Sequence, residues 1–528
     1  MNNQHAALPN RLKCLLDRNQ HHLLKQGLKG IEKESLRITG QGVIAQTPHP
    51  KALGSALTHP YITTDYSEAL LEFITPPFAD IKQTLDYMHQ LHQFVYPHLK
   101  DEMLLATSMP CGIDGDLSIP IAEYGTSNIG KMKHVYRKGL WHRYGRTMQA
   151  IAGIHFNYSV PEALWPILHQ LCGADCSQEA FISEAYFGLI RNFHRHGWLM
   201  LYLFGASPTI CKSFFKSRPQ LMDQFKEFDD RTVYHPYATS LRMSDIGYKS
   251  KNQAGLKIDY NSLDGYVESL GAAINTPYPE YERIGVKVDG EYQQLNANIL
   301  QIENEFYSTM RPKQIAKSGE KPTLALKRRG VLYVEMRSLD LNLLNPIGIE
   351  ESTARFIEAF LLSCLLHDSP PQAAEEFQIN NSNQLLVANQ GRQPGLQLNR
   401  NGESISLQDW AHSILYAMQP ICYLLDQGSL DRPYQLALQQ QLAVVDNPAL
   451  TPSARILACM RENGRDFGCF ASNTSALHKH YFNAQPLDLK TQQAFEDMAA
   501  ASLKKQADLE AGDTLSFDDY LSHYFAQS

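Results

Sequence analysis

The segment GIEKESLRI, residues 30–38, constrains the fold more than any other part of this chain. In an α-helix its two acids, Glu32 and Glu34, would be turned about 200° apart, whereas a strand repeats every two residues and puts both carboxylates on one face. The spacing therefore predicts a β-strand that presents a pair of acids. For either residue alone, a surface edge strand with a solvated side chain is the simpler interpretation.

Two further acids, Asp65 and Glu72, follow in the segment TTDYSEALLEFITPP, residues 63–77. On a strand Glu72 shares its face with Leu70 and Ile74, so this carboxylate also lies on a largely apolar surface. An ion pair with a lysine would explain Glu72 alone. Like-charged carboxylates that share a face repel each other unless protons or cations neutralise them, so the clustering of four acids favours a cation site.

Apolar periodicity predicts the elements around these acids. Residues 10–29, 81–99 and 178–204 have apolar side chains at helical spacing, and we interpret the stripe on residues 81–99 as core. Strict alternation predicts strands over residues 150–161, 295–313 and 331–341. Three groups of polar side chains would then each share a strand face: His155 with Asn157 and Ser159; Gln301, Glu303 and Glu305 with Tyr307; and Glu335 with Arg337.

Each of these polar groups has a structural and a functional interpretation. A lone histidine such as His155 is more often a hydrogen-bonded structural residue than a metal ligand, and its strand position makes the two readings about equal. Glu335 and Arg337 form either an ion pair or a metal ligand beside a phosphate clamp, because arginine offers a planar fork to phosphoryl oxygens. Residues 107–147 are basic and aromatic, and this segment either solvates a surface or binds anionic substrate groups.

The donor set points to a particular kind of cofactor. Carboxylates with a single imidazole suit Mg²⁺ or Mn²⁺ better than zinc, which prefers thiolates. The sequence contains neither a GxxxxGK(S/T) loop nor a GxGxxG motif after a strand, so ATP would be held without either glycine loop. The residues therefore predict a metal-bridged phosphate site on an antiparallel sheet.

Composition excludes several other classes of protein. The length of 528 residues allows one elaborated domain or two packed ones, and the net charge of -7 argues against nucleic-acid binding. We also predict no association with a membrane and a cytoplasmic location, because no apolar stretch is long enough to span a bilayer and the N-terminus lacks the apolar core of a signal peptide. The nine cysteines are scattered, and Cys172 and Cys176 form the one close pair, so zinc is not expected.

Longer motifs carry a family resemblance. The segments GIEKESLRI, HPKALGSALTHPYITTDYSEALLEFITPP, GIHFNYS, YLFGASP, PYATSLRMSDIGY, LQIENEFYSTMRPK and YVEMRSLDLNLLNPIGI closely resemble the proteobacterial-type glutamate–cysteine ligase family. The similarity runs from about Gly30 to about Glu350 and is much weaker beyond Pro370. It implies an α+β fold like that of glutamine synthetase, with a curved, mostly antiparallel sheet that forms a funnel surrounded by helices. Residues 1–370 would form the catalytic domain, and residues 371–528 a mainly helical region packed on it.

The resemblance also implies roles for individual residues. Arg337 would bind the transferring phosphoryl group of ATP, and Arg242 would bind substrate glutamate. Tyr248 and Tyr307 match positions that contact the carboxylate of substrate cysteine. The walls of the cysteine pocket would come from Tyr66, Tyr136 and Gln149, with Arg137 suited to an amino-acid acceptor, and the magnesium ligands would be Glu32, Glu34, Asp65, Glu72, His155 and Glu335.

The activity implied by the resemblance is the first step of glutathione synthesis. ATP would phosphorylate the γ-carboxylate of L-glutamate, and the amine of L-cysteine would attack the acyl phosphate, giving γ-glutamylcysteine, ADP and phosphate. Mg²⁺, with Mn²⁺ as an alternative, would be the cofactor, glutathione a feedback inhibitor, and the enzyme a monomer. Three other functions would also use clustered acids: that of a ligase of the same fold that uses ammonia, that of a metal-dependent phosphohydrolase, and that of a non-catalytic amino-acid or metal-binding protein.

Overall fold

An open antiparallel sheet of seven strands carries the acidic segments. The computed structural model describes residues 7–247 and 255–527. The strands of the described residues are β1 (Leu28–Ile38), β2 (Ile62–Thr64), β3 (Leu70–Ile74), β4 (Met103–Leu104), β5 (Ile154–Ser159), β6 (Thr209–Cys211), β7 (Lys226–Glu227), β8 (Thr232–Tyr234), β9 (Lys287–Val288), β10 (Glu291–Tyr292), β11 (Met310–Lys313), β12 (Tyr333–Leu339), β13 (Gln397–Arg400) and β14 (Glu403–Ser406). The main sheet has the order β11-β12-β5-β1-β3-β2, with β4 paired to the far end of β1. The predicted α+β class with an antiparallel sheet is confirmed.

Helices surround this sheet. They are α1 (Ala7–Asp17), α2 (Ile81–Val95), α3 (Asn128–Tyr144), α4 (Trp165–Cys172), α5 (Gln178–His196), α6 (Trp198–Phe204), α7 (Leu263–Asn275), α8 (Pro279–Ile284), α9 (Pro322–Arg329), α10 (Glu351–Leu366), α11 (Ala374–Gln390), α12 (Leu407–Leu425), α13 (Pro433–Asp446), α14 (Pro452–Asn463), α15 (Phe467–Asn483), α16 (Leu489–Gly512) and α17 (Phe517–Phe525). Helices α2, α5 and α6 pack on strands of the main sheet. None of the helices in the described ranges combines the length and apolar character that crossing a membrane requires.

The central strand β1 sets the register of the polar residues. It pairs with β3 on one side, where Glu34 lies opposite Glu72, and with β5 on the other, where Glu32 lies opposite His155. Strand β12 continues the sheet beyond β5 and brings Glu335 opposite Asn157. Because residues paired across strands point to the same face of a sheet, these side chains form one row across four strands.

Two of the predicted helices are interrupted. The helix expected over residues 10–29 ends at Asp17, and Asn19 has a φ of 54°, a left-handed conformation that stops the helix before β1 begins. The helix expected over residues 178–204 breaks at Gly197, which separates α5 from α6. The helix expected from residue 81 is confirmed over Ile81–Val95, with a short 3₁₀ turn after it.

The strand predicted over residues 295–313 is wrong for most of its length. Only Met310–Lys313 forms a strand, while Glu303–Glu305 is a 3₁₀ turn, so the expected shared face does not exist. The cause is local competition for hydrogen bonds. The carboxylate of Glu305 accepts from the backbone N–H of Gln301 at 2.7 Å and from Arg143 at 2.9 Å, which closes the chain into a loop.

The region after residue 370 shares its core with the rest of the chain. Buried residues such as Val387, Trp410 and Phe495 belong to the same apolar cluster as Phe73 of the main sheet. Helix α11 packs on α6, and α15 packs on β4. The division of the chain at residue 370 stays a prediction.

A buried ion pair links the main sheet to helix α10. Lys29 on β1 lies 2.7 Å from Glu358, and the two side chains are 1% and 0% exposed. The other oxygen of Glu358 accepts a hydrogen bond from the hydroxyl of Tyr434 at 2.7 Å. A buried charge that keeps its partners is tolerated, whereas a buried charge without its counter-ion is strongly destabilising.

The replacement Lys29→Met should therefore lower the free energy of unfolding by about 3–5 kcal/mol, because it leaves the carboxylate of Glu358 buried without its cation. Urea unfolding monitored by circular dichroism measures this change. The double variant Lys29→Met/Glu358→Leu serves as the control and should regain a large part of the loss, since neither charge remains. A single variant as stable as the wild type would show that this pair is not important for folding.

Candidate active site

The row of acids on the main sheet converges on His155. Its Nδ1 lies 3.1 Å from Glu32 and 3.8 Å from Glu335, and its Nε2 lies 3.7 Å from Glu34. Ligand atoms of Glu32, His155 and Glu335 lie within 4.8 Å of one another, and so do those of Glu34, Glu72 and His155. Strands β1, β3, β5 and β12 each contribute to this cluster, as period-two alternation requires.

Burial and neighbouring charges disfavour the ionised form of two of these carboxylates. Burial raises the pKa of Glu72 well above the usual range of a carboxyl group, and the charges of Glu32, Asp65 and Glu34 raise it further. Burial also raises the pKa of Glu34 to about 8, an effect to which Asp65 adds. A divalent ion would relieve this repulsion, and the donor set of carboxylate oxygens with one imidazole fits Mg²⁺ or Mn²⁺.

Cations border the opposite end of the row. Lys313 on β11 lies 3.2 Å from Glu335, and Arg337 lies 3.1 Å from the same carboxylate. Although burial acts to raise it, the pKa of Glu335 is held well below its usual range by the charges of Lys313, Arg337 and His155. The row thus changes from mutually repelling acids at Glu72 to acids balanced by cations at Glu335, which suits the binding of polyanionic phosphate at this end.

Two cavities adjoin the row and meet at seven residues that line both of them, namely Asp65, Tyr136, Arg137, His155, Asn304, Arg311 and Arg337. The inner cavity has a volume of about 110 Å³, and the outer one of about 470 Å³. Six of the residues predicted to bind substrates line the inner cavity, namely Tyr66, Tyr136, Arg137, Gln149, Arg242 and Tyr307. The structure therefore brings all of the predicted site residues together except Tyr248, which lies outside the described residues.

Arg242 occupies a position that a glycine makes available. The guanidinium is buried and donates to the backbone oxygen of Arg337 at 2.9 Å. A Cβ atom on Gly153 would lie 2.1 Å from Nη2 of Arg242, which is closer than real Cβ atoms approach. The N–H of Gly153 also donates to Glu34 at 2.7 Å. Any side chain at residue 153 would therefore displace the guanidinium of Arg242.

Several site residues were not found from the sequence. The positions of Lys313 and Arg311 in the site could not be predicted from the sequence, because only the pairing of β11 with β12 brings these residues beside Glu335. Asn157 was seen to share a face with His155, but its hydrogen bond of 2.9 Å to Glu32 follows from the register of β1 and β5. Gly153 belongs to the motif GIHFNYS. Its contact with Arg242 is not predicted by local spacing, because the two residues lie far apart along the chain.

The polar face of the antiparallel sheet brings together buried acids, one histidine and guanidinium groups beside two cavities. This fold and this site are those of an α+β ligase. It belongs to the glutamate–cysteine ligase family, whose family model, described as "Glutamate-cysteine ligase", matches residues 12–387. The chain is 52% identical over 521 residues to the glutamate–cysteine ligase of Pseudomonas putida, an alignment that covers 99% of this chain and 98% of that protein. It is 50% identical over 525 residues to that of Alcanivorax borkumensis, covering 98% and 99% of the two chains.

A solved structure agrees with the architecture. The crystal structure of glutamate–cysteine ligase from Francisella tularensis in complex with AMP matches with a TM-score of 0.89 at 38% identity, covering 95% of this chain and 97% of that one. A bifunctional glutathione synthetase from Pasteurella multocida matches with a TM-score of 0.69 at 25% identity, and the alignment covers 92% of this chain and 57% of that one. The similarity thus extends over the helices beyond residue 370, where motifs were weak.

Proposed function

We propose that this chain catalyses the ATP-dependent ligation of the γ-carboxylate of L-glutamate to the amine of L-cysteine. The observation that carries this proposal is the meeting of the two cavities at His155 and Arg337, beside the acidic row. The reaction needs a nucleotide on one side of the transferring phosphoryl group and an amino acid on the other. ADP release with glutamate, assayed with and without cysteine, tests the proposal, and turnover that does not depend on cysteine would contradict it.

Metal binding at the row would use the residues already described. Glu32, His155 and Glu335 would hold one ion, and Glu34, Glu72 and His155 form a second group of donors. Asp65 borders both cavities and would complete the acidic set. Bound Mg²⁺, for which Mn²⁺ can substitute, supplies charge neutralisation to the ATP phosphates and polarises the transferring group.

Two arginines would act on the substrates: one would stabilise the phosphoryl group during its transfer, and the other would orient glutamate. Arg337 lies where the cavities meet, so its guanidinium would stabilise charge on the phosphoryl group as it moves from ATP to the γ-carboxylate of glutamate. Arg242 would hold glutamate by its α-carboxylate in the inner cavity. The resulting acyl phosphate is then attacked by the cysteine amine, which forms the amide bond and expels phosphate. No nucleophile from the protein is required.

The acceptor cysteine would bind at the aromatic side of the inner cavity. Tyr66, Tyr136 and Gln149 would form its walls, and Arg137 would add a positive charge near the amino-acid carboxylate. Tyr307, and by family resemblance Tyr248, would donate hydrogen bonds to that carboxylate. Arg137 is held in place by donating to the backbone oxygen of Asp65, which connects the acceptor pocket to the acidic row.

The replacement Tyr307→Phe should raise the KM for cysteine roughly 10- to 150-fold, because a hydrogen bond to a charged group contributes about 1.5–3 kcal/mol. The KM values for ATP and glutamate should stay close to those of the wild type. Steady-state kinetics with each substrate varied in turn measures this pattern, and the melting temperature serves as the control for folding. A lower melting temperature with three unchanged KM values would make Tyr307 a core residue instead.

Glutathione should inhibit competitively with glutamate, because it carries the same γ-glutamyl group and would occupy the same pocket. Initial rates at several fixed glutathione concentrations, with glutamate varied, measure this. Inhibition that persists at saturating glutamate would contradict a shared site. We further propose that the enzyme acts as a monomer in the cytoplasm.

A further inference from the structure

Helix α17 contributes two side chains to the lining of the outer cavity. Helix α17 packs against α3, and Leu521 and Tyr524 form a small apolar cluster with Met132 and Val135 of that helix. This cluster is separate from the main core. Helix α17 is therefore held against α3 by a small apolar cluster of its own.

Polar contacts fix both ends of this helix. Before α17, the side chain of Asn128 donates to the backbone oxygen of Leu515 at 3.0 Å. After it, the ammonium group of Lys321 donates to the backbone oxygen of Phe525 at 2.8 Å, and the amide of Gln527 donates to the backbone oxygen of Gly319 at 2.7 Å. The last two bonds join the C-terminal segment to Gly319 and Lys321, in a stretch of which Gly319, Glu320 and Pro322 line the outer cavity.

Two aromatic side chains of α17 face into the cavity. Tyr520 and Tyr524 are four residues apart, which places them on the same face of the helix, and both line the cavity together with Met132 and Ile302. The far end of the same cavity is lined by Glu32, Glu335 and the cations beside them. One cavity thus has a charged end at the sheet and aromatic side chains at α17.

We infer that Tyr520 and Tyr524 bind the nucleobase of ATP by stacking, so that the C-terminal helix forms part of the nucleotide site. The inference rests on the proposed function, in which ATP is the co-substrate. With the phosphates at the charged end of the outer cavity, the base lies towards the other end, where flat apolar surface is available. Aromatic stacking contributes affinity for any base, because every base has a π-face.

The test compares ATP with a ligand that has phosphates and no base. Equilibrium binding of ATP with Mg²⁺ is measured by calorimetry for the wild type and for Tyr520→Ala, and inorganic tripolyphosphate is measured in the same way. The variant should bind ATP roughly 5- to 100-fold more weakly, the usual effect of removing one stacking ring. Its affinity for tripolyphosphate should equal that of the wild type. Tyr524→Leu, which keeps an apolar side chain in the cluster with Met132, should behave in the same way.

Two matched variants separate stacking from simple docking of the helix. Tyr520→Phe keeps the ring and should bind ATP like the wild type. Phe517→Ala removes an aromatic residue that packs on Tyr292, outside the cavity, and should also leave ATP affinity unchanged. Equal weakening of ATP and tripolyphosphate, or a loss in Phe517→Ala as large as in Tyr520→Ala, would overturn the inference.

The binding data also distinguish this inference from the proposed function. A wild-type protein that binds ATP and turns over with cysteine, but whose tyrosine variants bind ATP normally, would refute the stacking role alone. A wild-type protein that does not bind ATP would refute both.

Discussion

Replacing Glu335 with Gln should reduce turnover by roughly 1,000-fold while the protein remains folded. The carboxylate is 1% exposed and lies within 4 Å of His155, Lys313 and Arg337, so it is the point where the acidic row meets the cations. Gln keeps the shape of the side chain and removes the charge that a metal ion needs. A bound ion stabilises a phosphoryl-transfer transition state by several kcal/mol, and about 4 kcal/mol corresponds to the predicted loss. Glu32→Gln should have a similar effect.

The measurements are kcat at saturating Mg²⁺ and the melting temperature of each variant. Glu351→Gln on α10 is a matched control, since this acid pairs with Arg355 and lines neither of the two cavities, and it should leave kcat unchanged. Near-normal turnover of both Glu335→Gln and Glu32→Gln would remove the metal site from this face of the sheet.

Arg337→Lys should lower kcat by about 100-fold or more and change the KM for ATP only a few-fold. Lysine keeps the positive charge but loses the planar fork that contacts two oxygens at once. Groups that act mainly in the transition state affect kcat rather than ground-state binding, and one lost donor of this type costs about 100- to 1,000-fold. Titration of ATP at saturating glutamate and cysteine separates the two parameters.

Arg355→Lys on α10 is the control for the chemical change itself, because its guanidinium pairs with Glu351 rather than with the acidic row. It should leave kcat unchanged. If Arg337→Lys also turns over at the wild-type rate, then Arg337 serves only as the ion-pair partner of Glu335.

Local alternation was enough to predict the strands that carry the site. Glu32 with Glu34, and Glu335 with Arg337, could be assigned to shared faces because period two is a property of a few consecutive residues. Their convergence could not be worked out from spacing, because it depends on how β1 pairs with β5 and how β5 pairs with β12. The strands that pair in this way come from residues about 30 to about 340. The expectation that their acids form one site therefore came from the family resemblance and not from local periodicity.

The errors have a common physical origin. The segment 295–313 alternates like a strand, but the carboxylate of Glu305 accepts hydrogen bonds from the backbone N–H of Gln301 and from Arg143, and these close the segment into a loop. Such tertiary partners are not visible in local periodicity. Tyr520 and Tyr524 carry no motif at all, and they reach the outer cavity only because the end of the chain folds back onto α3.

One face of strand β1 carries the acids of the site, and the other face packs in the core. This arrangement restricts insertions and deletions in the part of the gene that encodes β1. Lys33 points away from the acids and contacts His92 of α2 at 2.6 Å within the core. Adding or deleting one residue inside Leu28–Ile38 would exchange the two faces beyond that point. Lys33 or its replacement would enter the acidic row, and a glutamate would be driven against His92. Substitutions in β1 can be judged one residue at a time, but a change in its length would remove the catalytic face and the core contact together.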